Sequence, residues 1–460
     1  MAMSRHLNIP GRAAVMLMLW CFTGYGEDRF LIRAKGDVQP LAARHGLRVV
    51  ASLTGSAAGH HILAGSGKNS RQSVLDSLAA DASVVSAEAD QPVLLPGQRA
   101  GAAVHPVAAP KGAAFPLNGA PTWYYTSLAA AGYVNQPAAG LIRTSQAHTI
   151  SAGNARVAVI DTGIDRSNWV LASSIGEGWD FIHNVPFGQE VADVNQETTP
   201  ILDQETTPIL DQETTPILDG GAAIILAQET TPILDQETTP ILDGKQHPAY
   251  GHGTMVAGLI HLVAPKATLL PVRSFAADGT STLAQIVAGI YWAIDHNADV
   301  INMSFSTRQN SGILQNAIDA ANAKGVVCIA AAGNDGQAIS VWPASYASVI
   351  GVGSTNDSDT RSLFSNYGPV ASLAAPGEAL ITTYPSTGPR QHYAEVWGTS
   401  FAAPLVAGTA ALLVDIGNQM NGAQAMSVLS KSSVPIGNQG LGAGELNAYQ
   451  AALSASRSKK

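Results

Sequence analysis

The stretch from residue 142 to 453 admits few folds, because short apolar runs and amphipathic runs take turns along it. Residues 157–160, 268–275, 299–305, 326–332 and 349–355 read as strands, while 252–263, 282–297, 313–324 and 401–415 carry helical spacing. Strands separated by helices pair in parallel. A parallel sheet is covered on both faces, so its strands are apolar throughout instead of alternating. The chain therefore reads as α/β, a parallel sheet with helices on both faces. Composition agrees: 46% of the 460 residues are hydrophobic, only 13% are charged, and 45 glycines suit close backbone contacts.

The N-terminal third reads differently. Arg5 and Arg12, an apolar run at 13–22 and small residues before Glu27-Asp28 give residues 1–26 the form of a signal peptide. The run is short for a membrane span, and bulky Trp20 before Cys21 argues against a lipid anchor. The expectation is a secreted protein with no stable membrane anchor. Residues 27–96 then follow the order β-α-β-β-α-β, with strands at 29–35, 47–53, 60–64 and 84–95 and helices at 38–45 and 70–82. That order predicts a small α+β, ferredoxin-like module. Residues 97–140, rich in Ala, Pro and Gly at their start, read as a linker, and 454–460 as a tail. Cys328, the only cysteine besides Cys21, sits in an apolar strand pattern and reads as a buried hydrophobe.

Within the α/β stretch the octapeptide Gln-Glu-Thr-Thr-Pro-Ile-Leu-Asp occurs five times, starting at Gln196, Gln204, Gln212, Gln228 and Gln236. Residues 220–227 interrupt the array without breaking its phase. A proline every eighth residue excludes a continuous helix and disfavours a central strand. Residues 196–243 thus read as a solvated, disordered insertion, or as a recognition arm. The array also accounts for the net charge: without its ten carboxylates, −9 becomes +1. No basic face remains to suggest nucleic acid.

Four short stretches carry chemistry. Asp161, in Val159-Ile160-Asp161-Thr162-Gly163, ends an apolar strand, where open α/β sheets place their sites. No second Asp-Thr-Gly exists to form the carboxylate pair of an aspartic protease. His252, between Gly251 and Gly253, starts a helix with its ring accessible. Val256 stands where a second helical metal ligand would be. Ser400, in Gly398-Thr399-Ser400-Phe401-Ala402-Ala403-Pro404, opens a helix whose free amides favour developing negative charge. Asn334, in Ala332-Gly333-Asn334-Asp335, follows a strand and can donate its amide to an oxyanion. Each residue alone has a bland reading: an ordinary strand-end Asp, a structural His, an N-cap Ser, a turn Asn.

Together, and in the order Asp, His, Ser, the four stretches resemble the subtilisin-like serine proteases from 141 to 452; that order is the one the family uses. The resemblance implies a triad of Asp161, His252 and Ser400 with Asn334 as oxyanion donor. It implies that Ser304, Phe305, Ser306, Ala332 and Gly333 hold the substrate, laid down as an added strand. It implies a monomeric endopeptidase that acts on proteins or peptides without a cofactor. Module 27–96 would be its own propeptide and intramolecular inhibitor. Structural calcium is frequent in such enzymes, but no site can be placed here. Met255, Phe401 and Ser306 depart from the commoner His, Met and Gly. Asp161 and His252 stand 91 positions apart, and removing the 48 residues 196–243 leaves 43, near the usual spacing. Two other readings use the same residues: a catalytically silent binding module with the array as its arm, and an esterase.

Overall fold

The computed structural model describes residues 27–67, 69–95, 122–190, 248–385, 393–417 and 420–458, with the strand dipeptides at 224–225, 241–242 and 245–246. The signal-peptide segment, most of the linker and most of the array lie outside these residues. The chain divides into two units, one ending at Ala89 and one beginning at Asp90.

In the first unit, strands Asp28–Ala34, Leu47–Ser52, His60–Gly65 and Val84–Ala89 form one antiparallel sheet, with spatial order second, third, first, fourth. Helices Val38–Arg44 and Arg71–Ala79 start where side chains accept from free amides, Asp37 from the Gln39 N–H and Ser70 from the Ser73 N–H. Phe30, Ile32, Leu41, Leu63 and Leu78 make the core between sheet and helices. The strand predicted over 84–95 is two strands. It breaks at Asp90, and Pro92–Leu94 pairs with Thr280–Thr282 inside the second unit. There Asp90 Oδ1 also accepts from the Ala284 N–H.

The second unit is built on an eight-stranded sheet. Its order is Val185–Pro186, Trp179–Asp180, Thr268–Arg273, Arg156–Asp161, Val300–Met303, Val327–Ala331, Ile350–Thr355, Leu373–Pro376. All neighbours run parallel except the first, an antiparallel edge. The five strands from Arg156–Asp161 to Leu373–Pro376 are buried residue after residue apart from Arg156, as a sheet covered twice requires. Val157 and Val159 join a core with helices His252–Val263 and Thr399–Gly417. Ile160 points the other way. A Cβ built on Gly289 of helix Leu283–Asp295 would lie 2.9 Å from Val272 and 3.8 Å from Ile160, so that helix closes on the opposite face.

Helix Thr399–Gly417 has the length and apolarity of a membrane span, yet sixteen of its nineteen residues are buried, so it is a core helix. Each large apolar side chain it buries, Phe401 or Leu405 for example, contributes roughly 1.5–3 kcal/mol. Cys328 is buried in strand Val327–Ala331, and burial pushes its thiol up to about 12, which suits the inert role read from its neighbours.

Two boundaries need correction. The span 97–140 is not linker to its end. Strands Thr122–Tyr124 and Ser127–Ala129 and helices Ala131–Val134 and Pro137–Leu141 belong to the second unit. Tyr124 donates to the Leu262 carbonyl and Tyr133 donates to the Gly258 carbonyl at 2.6 Å, both from buried positions. Elements of three to five residues are too short to show periodicity. Likewise helix Ala448–Arg457 runs past 453, so the final residues are not all tail. Of the array, only Ile224–Ile225 and Ile241–Leu242 are described. The first runs parallel beside Tyr393–Val396, and the second turns back on Lys245–Gln246.

Candidate active site

Asp161 is the last residue of its strand and is fully buried. Its Oδ1 accepts from the Thr162 N–H at 2.8 Å and from His252 Nδ1 at 2.7 Å. A carboxylate can only accept, so the ring carries its proton on Nδ1 and presents Nε2 as the basic nitrogen. His252 is the first residue of its helix, and the two glycines around it are there for space. Gly251 has φ of 91°, and a Cβ on Gly253 would stand 2.0 Å from the Gly163 carbonyl oxygen. The ring also packs on Phe401, with centroids 5.3 Å apart. The position where Met is commoner thus supplies a wall for the imidazole.

Ser400 is the second residue of helix Thr399–Gly417. Pro404 lies in the second turn of that helix, and it lacks the N–H that would have bonded the Ser400 carbonyl. Ser304 fills that gap: its hydroxyl donates to the Ser400 carbonyl at 2.7 Å, while the Ser400 hydroxyl donates to the Ser304 carbonyl at 3.1 Å. This reciprocal clasp fixes the serine turn against the end of strand Val300–Met303. Ser304, Phe305 and Ser306 continue that strand outside the sheet ladder, and all three are buried. Phe305 packs inward on Phe275, with centroids 5.2 Å apart. A Cβ on Gly333 would come within 3.4 Å of Ser306 Oγ, so segments 304–306 and 332–333 lie side by side.

Asn334 reaches the same place through Thr399. Its Oδ1 accepts from the Thr399 N–H at 3.0 Å and from the Thr399 hydroxyl at 2.7 Å. Those two bonds fix which end of the amide is which, leaving Nδ2 buried and without a hydrogen-bond partner among the described residues. A buried donor with nothing to donate to is costly unless a ligand supplies the acceptor. Asp335, which as an isolated charge would favour a basic residue near this site, is already matched: Arg308 and the Asn366 side-chain amide take its two oxygens.

Asp161 and His252 are thus joined directly. Asn334 is joined to the residue before Ser400, and the residue after Ser400 walls the histidine ring. This arrangement has the parts for nucleophilic attack assisted by a base. The model of the subtilase family (peptidase S8) matches residues 152–450. The chain belongs to the subtilase family. It is similar to thermitase of Thermoactinomyces vulgaris, 32% identical over 67% of this chain and 93% of that one. It is also similar to subtilisin DY of Bacillus licheniformis, 37% identical over 41% of this chain and 72% of that one. Among solved structures it shares its fold with a lanthipeptide protease, with a TM-score of 0.52 and 24% identity over 69% of this chain and 93% of that one. The protein is accordingly a subtilisin-like serine endopeptidase, a hydrolase acting on peptide bonds.

Three supporting residues had no visible signal. Thr399 orients Asn334. Asn366 is buried behind the turn, accepting from the Asp335 and Gln337 amides and donating to the Ala332 carbonyl. Glu190 stands 62 positions before His252 and yet touches its helix. Among the described residues no group of three or more His, Cys, Asp or Glu could hold a metal, so no structural role is derived for calcium.

Proposed function

We propose that this subtilase is a secreted endopeptidase made as an inactive precursor, with Asp161, His252 and Ser400 as its triad. The observation that carries the reading is the buried 2.7 Å bond from His252 Nδ1 to Asp161, which leaves Nε2 as the base. For attack, the Ser400 hydroxyl turns from the Ser304 carbonyl toward Nε2 and gives up its proton as Oγ adds to the scissile carbonyl. Asp161 holds the ring and stabilises its charged form. The Ser400 amide and Asn334 Nδ2 receive the oxyanion. Collapse releases the amine, which takes the proton from His252, and water then hydrolyses the acyl-enzyme. No step calls on a cofactor. Ser304–Ser306 and Ala332–Gly333 flank the substrate strand, a role supported by their lying side by side next to Ser400.

The precursor reading rests on the first unit. Its strand order and its two helices support a ferredoxin-like propeptide, and the basic and apolar run at 1–26 supports export. The test is a fluorophosphonate probe on the purified protein, with Ser400→Ala beside it. Ser400 is expected to be the labelled residue, and Ser400→Ala is expected to hydrolyse no peptide and to keep residues 27–96 attached. A wild-type protein that binds peptide but neither labels nor cleaves would make it a silent binding module instead.

A further inference from the structure

Glu190 is fully buried and bonds to the neighbours of both Asp161 and His252 without touching either side chain by a hydrogen bond of its own. Its Oε1 accepts from the Thr162 hydroxyl, next to Asp161, and from the Gly251 N–H at 3.0 Å, next to His252. Its Oε2 accepts from the Thr254 N–H and hydroxyl, both at 3.0 Å. Thr162 closes the circuit by accepting from the Gly253 N–H at 2.9 Å. Two of these donors are first-turn amides that a helix cannot satisfy itself, so a carboxylate is the side chain that fits there.

We propose that Glu190 is a positioning residue for the hydrolysis: its ionised carboxylate locks the Asp161 loop onto the first turn of the His252 helix and so sets the Asp161–His252 bond. The inference rests on the triad reading and deepens it. Four donors converge on two oxygens, and a protonated acid gives one acceptor position to its own hydrogen. Burial, with the Asp161 charge adding, pushes Glu190 up to about 7 against those bonds and Arg273. Arg273 is itself close to Asp180, at 3.5 Å. Tyr250 and Tyr384 also face the carboxylate, and Asp165 and His252 lie on the segments it joins. Protonation near neutrality therefore loosens the lock.

The experiment compares active-site-titrated wild type with Glu190→Gln. The neutral amide is expected to leave KM within a factor of about two and to lower kcat about 10- to 100-fold, the scale of a small misplacement at a reacting centre. The acid limb of the kcat profile is expected to involve two protons in wild type and one in Glu190→Gln. The low-field proton resonance of the His252 Nδ1–H···Asp161 bond is expected to move in the variant. Wild-type kcat, acid limb and resonance in Glu190→Gln would overturn the proposal. Where Glu190→Gln does not fold, Thr162→Val removes the same link and Thr162→Ser restores it: equal kcat in those two also overturns it. Absence of probe labelling in wild type overturns the triad reading and this inference together, whereas labelling with unaltered Glu190→Gln kinetics overturns this inference alone.

Discussion

Asn334→Ala tests whether the site is built for a charge that exists only in the transition state. In the resting protein Asn334 Nδ2 has no partner among the described residues, so removing it breaks no bond of its own in the resting protein. Removing one such donor costs about 2.7–4 kcal/mol of transition-state stabilisation, which is about 10²- to 10³-fold in kcat. The two Thr399 bonds make a graded series possible. Thr399→Val keeps the backbone donor but loses the 2.7 Å hydroxyl bond to Oδ1, along with the hydroxyl that accepts from the Gly333 N–H at 3.1 Å. Of the two bonds lost, the one to Oδ1 orients Asn334, and one ordinary hydrogen bond is worth about 0.5–1.5 kcal/mol, so kcat is expected to fall by about 2- to 13-fold through it. Thr399→Ser keeps the hydroxyl and is expected to match wild type. The assay is initial-rate hydrolysis of a peptide anilide, with enzyme concentration fixed by fluorophosphonate titration of Ser400 so that unfolded molecules are not counted. A kcat for Asn334→Ala above one tenth of wild type, or a raised KM with intact kcat, would refute the assignment.

Two further outcomes follow from buried carboxylates and from the array. Burial pushes Glu445 up to about 8; among the described residues only its Oε2 is bonded, to the Thr355 hydroxyl at 2.7 Å. Between about 4.5 and 8 the folded chain therefore holds a proton that the unfolded chain releases, so stability falls as pH rises across that window. The full effect is at most roughly 4–5 kcal/mol. Urea midpoints of the Ser400→Ala protein are expected to fall less from pH 5 to pH 9 in Glu445→Gln, with Glu190 adding a slope of the same sign and buried His261, pushed down to about 4, opposing it at the acid end. An unreduced difference would count against the buried-carboxylate account. Deleting residues 196–243 is expected to keep kcat/KM within about threefold, because loop length costs little and Glu190 already ties residue 251 to the chain before the array. A hundredfold loss would mean that the array takes part in turnover.

Much of the site was legible because backbone geometry leaves marks. Gly251 and Gly253 announce a histidine pressed against another chain segment, and an apolar strand ending in Asp161 announces a sheet's carboxyl edge. The supporting residues leave no such marks. Glu190 finds its partners 61 and 64 positions later, beyond the array, and nothing near it in sequence hints at them. Thr399 looks like filler because its work is to hold another side chain by the end that does not react. The fold of 122–141 was missed for a related reason: Tyr124 and Tyr133 are anchored by single hydroxyl bonds to a distant helix, not by any local repeat. The strand over 84–95 was read as one because apolar residues resume at Val93 directly after Asp90-Gln91-Pro92, the short polar and proline break where the chain passes from one unit to the other.

The helix that begins with Thr399 and Ser400 is buried along almost its whole length, between the sheet and the other helices of the core. A nucleophile on a surface loop could be lost by fraying while the rest of the molecule survived. Here Ser400, the proposed nucleophile, cannot leave its place until the centre of the protein comes apart. Residual activity after heating is therefore a count of molecules that have never opened, and its decay is a clock for the unfolding step itself. The same fact shields this helix from self-digestion, since it becomes a substrate for neighbouring molecules only at the moment its own molecule stops being an enzyme.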